Sequence, residues 1–355
     1  MTNSSAKIFG PAAGANDASF QPNKGDVAAI DQLREIYAQL RAEVGKVIIG
    51  QEEVVERLLI CILARGHGLL MGVPGLAKTM IVNSLSQVMS LQFSRIQFTP
   101  DLMPSDITGT DILQETDQPG RRAFVFVKGP VFANIVLADE INRTPPKTQS
   151  ALLEAMQEHR VTVAGRFFPL PSPFFVLATQ NPIEQEGTYA LPEAQLDRFM
   201  FFIHVDYPTL EDERRIARET TGGAPAALRH LINAEQIIGF QEVVQRVPVP
   251  DHIYDTAVDL VRMTRPKENE APDWIKKWVT WGAGPRAVQY LIRGAKAHAV
   301  LHGSYLVRSE DLEAVAQPVL THRILTNFQA QAEGVTSTFI VEKLLEEVRS
   351  ETRRA

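Results

Sequence analysis

The residues best equipped for chemistry stand in two short stretches. The first is Leu69-Leu70-Met71-Gly72-Val73-Pro74-Gly75-Leu76-Ala77-Lys78-Thr79. It reads as a buried strand, a glycine-bounded turn and the first turn of a helix. Gly72 and Gly75 permit backbone conformations that a Cβ would forbid, so successive N–H groups can point into one concavity. The helix that follows adds its positive N-terminal end. Lys78 can then reach the β- and γ-phosphates of a nucleotide, and the Thr79 hydroxyl can hold Mg²⁺. The strict phosphate-loop pattern has glycine where this chain has Ala77, so the loop alone leaves a chance likeness open.

The second stretch is Asn134-Ile135-Val136-Leu137-Ala138-Asp139-Glu140. A continuous apolar run ending in two carboxylates predicts a buried parallel strand with its acids at the C-terminal edge. Ligands of open α/β sheets sit at that edge. Asp139 can organise the water shell of a metal, and Glu140 can polarise an attacking water. The alternative is that the acids only end a strand and cap a helix; pairing with a phosphate loop favours the nucleotide. A further buried strand is predicted over 174–179, stopping at Gln180-Asn181-Pro182. An Asn at that edge can hydrogen-bond the water or the γ-phosphate.

The rest of the chain must position these groups. Residues 1–24 lack any apolar period and predict a disordered tail. Helices are predicted from Ile30 to Val44, over 52–64 and over 78–88, with a strand over 94–98. His67, in the turn Arg65-Gly66-His67-Gly68, is expected to face solvent. Residues 101–107 are expected to be irregular, interrupted by Pro104. Alternating apolar residues predict a hairpin of 109–113 with 123–127 around Asp117-Gln118-Pro119-Gly120, and a second over 160–168 turning at Ala164-Gly165. Between them a helix is expected over 146–157, and a last strand over 200–205. From Pro208 onward helical periodicity takes over, with helices expected at 234–246, 251–262, 285–301, 309–316 and 338–350. A flexible connection is expected at 221–226. The domains expected are a tail over 1–28, an α/β nucleotide-binding domain over 29–207, and a helical linker and lid over 208–355.

The chain has 355 residues, enough for two domains, with an ordinary 45% hydrophobic and 22% charged content. Its net charge of −6, from 36 Lys and Arg against 42 Asp and Glu, argues against a nucleic-acid partner. The single cysteine, Cys61, lies in an apolar run and is expected to be a small core residue. No apolar stretch approaches the ~20 residues of a membrane span, and no signal pattern opens the chain. A cytoplasmic protein is expected.

Taken together, the residues resemble an AAA+ ATPase, and within that superfamily the MoxR family. The likeness rests on the loop 72–79, Phe98-Thr99-Pro100-Asp101-Leu102-Met103-Pro104-Ser105-Asp106, Asp139-Glu140-Ile141-Asn142-Arg143, Ala178-Thr179-Gln180-Asn181-Pro182 and Pro192-Glu193-Ala194-Gln195-Leu196-Asp197-Arg198-Phe199. It covers roughly residue 30 to the C-terminus, and Ala77 is common at its position in this family. It implies a P-loop NTPase core with a parallel sheet flanked by helices and β-hairpin insertions, followed by an all-α lid. Gly72, Val73, Pro74, Gly75, Leu76, Ala77, Lys78 and Thr79 would bind ATP with Asp139, and Thr79 and Asp139 would hold Mg²⁺. Asn181 would be the sensor of the γ-phosphate, and Arg198 an arginine finger entering the neighbouring subunit's site. Gly282-Ala283-Gly284-Pro285-Arg286 looks like the second sensor, with Arg286 opening a lid helix and Gly284 in place of the usual Ser. Gly50 and Gln51 look like the segment beside the adenine. For Arg198 and Arg286 the alternative is a surface ion pair, worth under ~1 kcal/mol.

The resemblance further implies a Mg²⁺-dependent ATPase working as a ring, expected to be hexameric, that remodels or activates a protein client. Relatives often act with partners containing a von Willebrand factor A domain. A metal-chelatase motor subunit is the first alternative, since that family has similar hairpins. The second is a nucleic-acid motor using Arg160 and Arg166, a weak footprint. A nucleotide-gated binding module without turnover is the third; Glu140 and Arg198 argue against it.

Overall fold

A computed structural model of the protein describes residues 24–115, 122–181, 187–220 and 226–352. Nearly all of the predicted tail, the turn at 117–120, Pro182 and most of the connection at 221–226 lie outside the described residues. The chain divides into two compact units, one of residues 35–241 and one of the segments on either side of it.

The larger unit takes the second half of helix α1 (Lys24–Val44), then α2 (Glu52–Leu63), β1 (Gly68–Met71), α3 (Lys78–Val88), β2 (Phe93–Gln97) and α4 (Pro104–Thr108). The hairpin β3 (Gly109–Glu115) and β4 (Arg122–Lys128), β5 (Ile135–Asp139) and α5 (Pro146–Glu158) follow. A second hairpin, β6 (Arg160–Val163) and β7 (Arg166–Pro169), leads to β8 (Phe175–Gln180), α6 (Glu193–Leu196), β9 (Phe201–His204), α7 (Leu210–Thr220) and the part of α8 (Ala234–Arg246) up to Gln241. Five strands pair in parallel in the order β2-β5-β8-β1-β9. β5 is buried along its whole length, as a strand covered on both faces must be. Leu69, Val136, Ala138, Val176 and Ala178 pack with Leu152, Leu153 and Met156 of α5 in one cluster. The alternate residues turn to the other face, where Leu58 of α2 approaches Leu177 and α3 lies against β5.

Register decides what meets at the sheet's edge. Gln97 pairs with Asp139, Ala138 with Ala178, and Met71 with Gln180. Gly72, Glu140 and Asn181 therefore leave the sheet within one residue of each other at its C-terminal edge.

Both predicted hairpins form. They are joined by a stacked pair, Phe126 and Phe168, with ring centroids 3.9 Å apart, and by Arg166 donating to both carboxylate oxygens of Asp111 at 2.6 and 2.7 Å. Two local expectations are corrected. Pro104 does not interrupt the segment after β2 but starts α4, because a first-turn proline sacrifices no helical hydrogen bond. His67 is buried rather than solvent-facing. Helix α7 was not anticipated: charged residues dominate it, Leu210 and Ile216 are its only large apolar residues, and none of its side chains is fully buried.

The smaller unit carries α9 (Asp251–Met263), α10 (Asp273–Trp278), α11 (Pro285–Leu301), α12 (Ser309–Leu320), α13 (Phe328–Ala332) and α14 (Ser337–Thr352). It also holds a short antiparallel pair, β10 (Val279–Trp281) with β11 (Leu325–Thr326), too brief to leave an alternating pattern.

Candidate functional site

The loop between β1 and α3 has the shape its glycines predict. Gly75 has φ +88 and open space where a Cβ would stand, and Ala77 has φ 54. Two left-handed residues so close together turn consecutive N–H groups toward one side, a cradle for anions at the start of α3. Gly72 is required for a different reason: a Cβ there would meet the Val205 carbonyl at 2.8 Å. Lys78, the first residue of α3, folds back and donates to the Gly72 carbonyl. Its partial burial lowers its pKa, while Asp139 and Glu140 oppose that shift. The lysine is thus tied to its own loop and lies within the field of the two acids.

Both acids are held. Asp139 accepts the Thr179 hydroxyl at 2.6 Å on one oxygen and Arg95 on the other, from Nε at 3.1 Å and Nη2 at 2.6 Å. Glu140 has a left-handed backbone, φ 57, and its N–H donates to the Thr179 oxygen at 2.9 Å. Its Oε2 accepts from Gln97 at 2.8 Å and from Arg143 at 2.9 Å. A non-glycine residue at positive φ is uncommon and persists where its surroundings fix it. Thr179 and the side-chain pair Gln97 and Arg143 do that here. Asn181 is buried at the end of β8, beside the strand position where Gly72 donates to the Gln180 carbonyl at 3.4 Å. Hard oxygen donors at Thr79 and Asp139, an anion cradle and a lysine fit Mg²⁺ with a polyphosphate.

Sequence reasoning missed the groups that hold the acids. Arg95 and Gln97 share one side of β2 while Ile96 takes the other, a polar alternation beside a buried strand that is their only local signal. Arg143 lies three residues after Glu140, but only the turn after β5 brings it back.

The structure does not bring Arg198 to this cluster. Met200 donates to the His67 carbonyl at 2.7 Å and Phe201 pairs with Gly68, so Arg198 lies toward the N-terminal edge of the sheet. The four residues of β1 alone separate the two edges by ~13 Å. There Arg198 donates to the Leu153 carbonyl at 3.3 Å and lines a cavity of about 290 Å³ with Glu154, Glu158 and Gln195. Gly50, at φ +73, precedes α2 and lies so close to Asp212 of α7 that a Cβ would meet it at 2.9 Å. Gln51 donates to the Asp206 carbonyl at 3.0 Å. Arg286, in the smaller unit, is the second residue of α11, with Gly284 as N-cap. The turn before it is pinned to α9: Ala283 donates to Thr264 at 2.9 Å, and a Cβ on Gly282 would meet the Thr264 carbonyl at 2.3 Å.

His67 has a structural place. Its Nδ1 accepts from the Val176 N–H at 3.1 Å and its Nε2–H donates to the Met156 carbonyl at 3.2 Å. Burial depresses its pKa to about 4, so the ring is a neutral tie between the sheet and α5. Arg160 and Arg166 of the second hairpin are engaged with Glu158 and Asp111. Among the described residues no helix is long and apolar enough to cross a membrane.

Comparison with known proteins agrees with the geometry. Residues 67–201 match the ATPase family associated with various cellular activities (AAA), and residues 274–344 match the AAA lid domain. The chain is 44% identical to "Chaperone MoxR1" of Mycobacterium tuberculosis, over 88% of this chain and 82% of that one. It is 28% identical to "Protein MoxR" of Methylorubrum extorquens, over 84% of this chain and 90% of that one. A crystal structure of a putative ATPase from Cytophaga hutchinsonii superposes with a TM-score of 0.84 at 42% identity, covering 91% of this chain and 97% of that chain.

Proposed function

The chain belongs to the MoxR family of AAA ATPases, and from that membership we propose that it hydrolyses ATP to remodel or activate protein clients. The observation that carries this is the meeting of the 72–79 loop, Asp139, Glu140 and Asn181 at one edge of a parallel sheet. The loop N–H groups and Lys78 bind the phosphates, and Gly50 and Gln51 flank the base. Thr79 and Asp139 would hold Mg²⁺, which when bound offsets charge on the phosphate oxygens. Glu140 polarises the attacking water, and Asn181 orients the water or the γ-phosphate. Arg286 takes the part of a second sensor.

Arg198 is too far from its own loop to serve it, which supports its delivery to a neighbouring subunit in a ring, expected to be hexameric. A relative named as a chaperone supports a protein client, and a von Willebrand factor A domain protein is the partner we propose. The protein is proposed to act in the cytoplasm.

The test separates binding from turnover. Lys78→Ala should lose nucleotide binding. Glu140→Gln keeps the shape of the site, so it should bind ATP while hydrolysis falls about 10²–10⁴-fold. Hydrolysis by Glu140→Gln at the wild-type rate would remove Glu140 from its role.

A further inference from the structure

Gln149 is fully buried, yet it carries a primary amide into the core beside Glu140. Its Nε2 donates to the Ile141 carbonyl at 3.1 Å and to the Tyr189 carbonyl at 3.2 Å. Both partners can only accept, so the NH₂ end must face them. Ile141 follows Glu140 directly. Tyr189 lies on the chain between Asn181 and Arg198, and its N–H returns to the Asn142 carbonyl at 2.6 Å. One amide therefore ties the turn after Glu140 to the segment that leads to the arginine.

The same helix also touches the arginine. Leu153, whose carbonyl accepts from Arg198, lies four residues beyond Gln149 on α5, one turn or ~6 Å along the axis. Leu152, Leu153 and Met156 fix α5 in the core against the sheet. Two polar groups one turn apart on a rigid, packed helix thus hold residues at opposite edges of the sheet.

We propose that Gln149 is a positioning residue that makes the Glu140 turn, α5 and the Arg198 segment one mechanical piece. A subunit's own hydrolytic centre and the arginine it lends would then move together. Loss of the amide leaves the buried Ile141 carbonyl without this donor and frees the half-buried Tyr189 carbonyl from α5.

The proposal rests on the ATPase reading with a shared Arg198, and one experiment separates the two. Arg198→Ala and Lys78→Ala subunits are mixed, and the ATPase rate is compared with each alone. Recovery is expected, because Lys78-intact sites borrow a neighbour's Arg198. The Lys78→Ala partner is then replaced by Lys78→Ala/Gln149→Met. That subunit binds no ATP, and the site under assay keeps its native Gln149. The recovered kcat should fall about tenfold or more with KM unchanged. Mixed assemblies of equal mass, assayed well below the melting temperature of every variant, exclude misfolding as the cause. Gln149→Asn, which keeps the amide but shortens its reach, replaces Gln149→Met if that variant does not fold, with the same loss expected. Undiminished recovery overturns the positioning role and leaves the ATPase intact. No recovery in the parent mixture overturns the shared Arg198 and with it this proposal, while hydrolysis by the wild type is judged on its own rate.

Discussion

Ala77 occupies a left-handed backbone, φ 54, at the point where the phosphate loop becomes a helix. Glycine would relieve ~1 kcal/mol of steric cost but free the unfolded chain by a similar amount. Ala77→Gly should therefore leave stability within about 1 kcal/mol and retain nucleotide binding. Ala77→Val, β-branched at positive φ, should lower the melting temperature and the stabilisation by ATP. Melting curves with and without ATP check both. Arg143 is the charged partner of Glu140, and its removal leaves the carboxylate held by Gln97 alone. Arg143→Ala should lower kcat roughly ten- to hundred-fold with little change in KM, since it disturbs aim rather than binding. Equal losses in binding would refute that. His67 gives a pH signature. Its ordinary pKa of 6.5 falls to about 4 in the fold. Below pH 6.5 the unfolded chain takes up a proton that the folded ring refuses. The stability tied to the neutral ring is whole above pH 6.5 and is lost as pH falls toward 4. Between pH 7 and pH 5 the loss is about 2 kcal/mol. His67→Gln should flatten that part of the urea-midpoint profile, and an unchanged slope would deny His67 its part.

The hairpins are set by backbone geometry at their base. Gly109 has φ +89, and a Cβ there would meet the Val127 carbonyl at 2.2 Å. Gly109→Ala should cost at least about 1–3 kcal/mol and loosen β3–β4, read by thermal unfolding and by proteolysis within the hairpin. The strands of the larger unit, most of the longer helices and the phosphate loop were legible because their signals are local: the apolar run before Asp139, the spacing of Gly72 and Gly75, the Ala164-Gly165 turn. What was not legible depends on pairing between distant segments. Nothing near Gln97 announces that it will face Glu140; that follows from β2 lying beside β5 in a particular register. His67 misled because a polar residue among glycines looks like a surface turn. Its burial needs β8 and the end of α5 to supply an N–H and a carbonyl. Gln149 gave no signal either, since a glutamine on an amphipathic helix is ordinarily solvated and its two acceptors come from other elements.

For the whole molecule, charge and assembly carry the remaining tests. The net charge is −6, and Arg160 and Arg166 are engaged within the protein. DNA or RNA should therefore leave the ATPase rate unchanged; a strong stimulation that falls steeply with salt would point to a nucleic-acid motor. The central claim is that the proposed active site is composite, with Glu140 from one subunit and Arg198 from the next. An arginine so placed can contribute ~10³-fold or more by stabilising charge on the transferred phosphoryl group. The direct measurement is specific ATPase activity across a dilution series, with mass measured on the same samples. Activity per subunit should rise with the fraction assembled, while Arg198→Ala assembles equally and stays at the monomer's rate. Constant activity per subunit down to dilutions where only monomers remain would contradict a shared site.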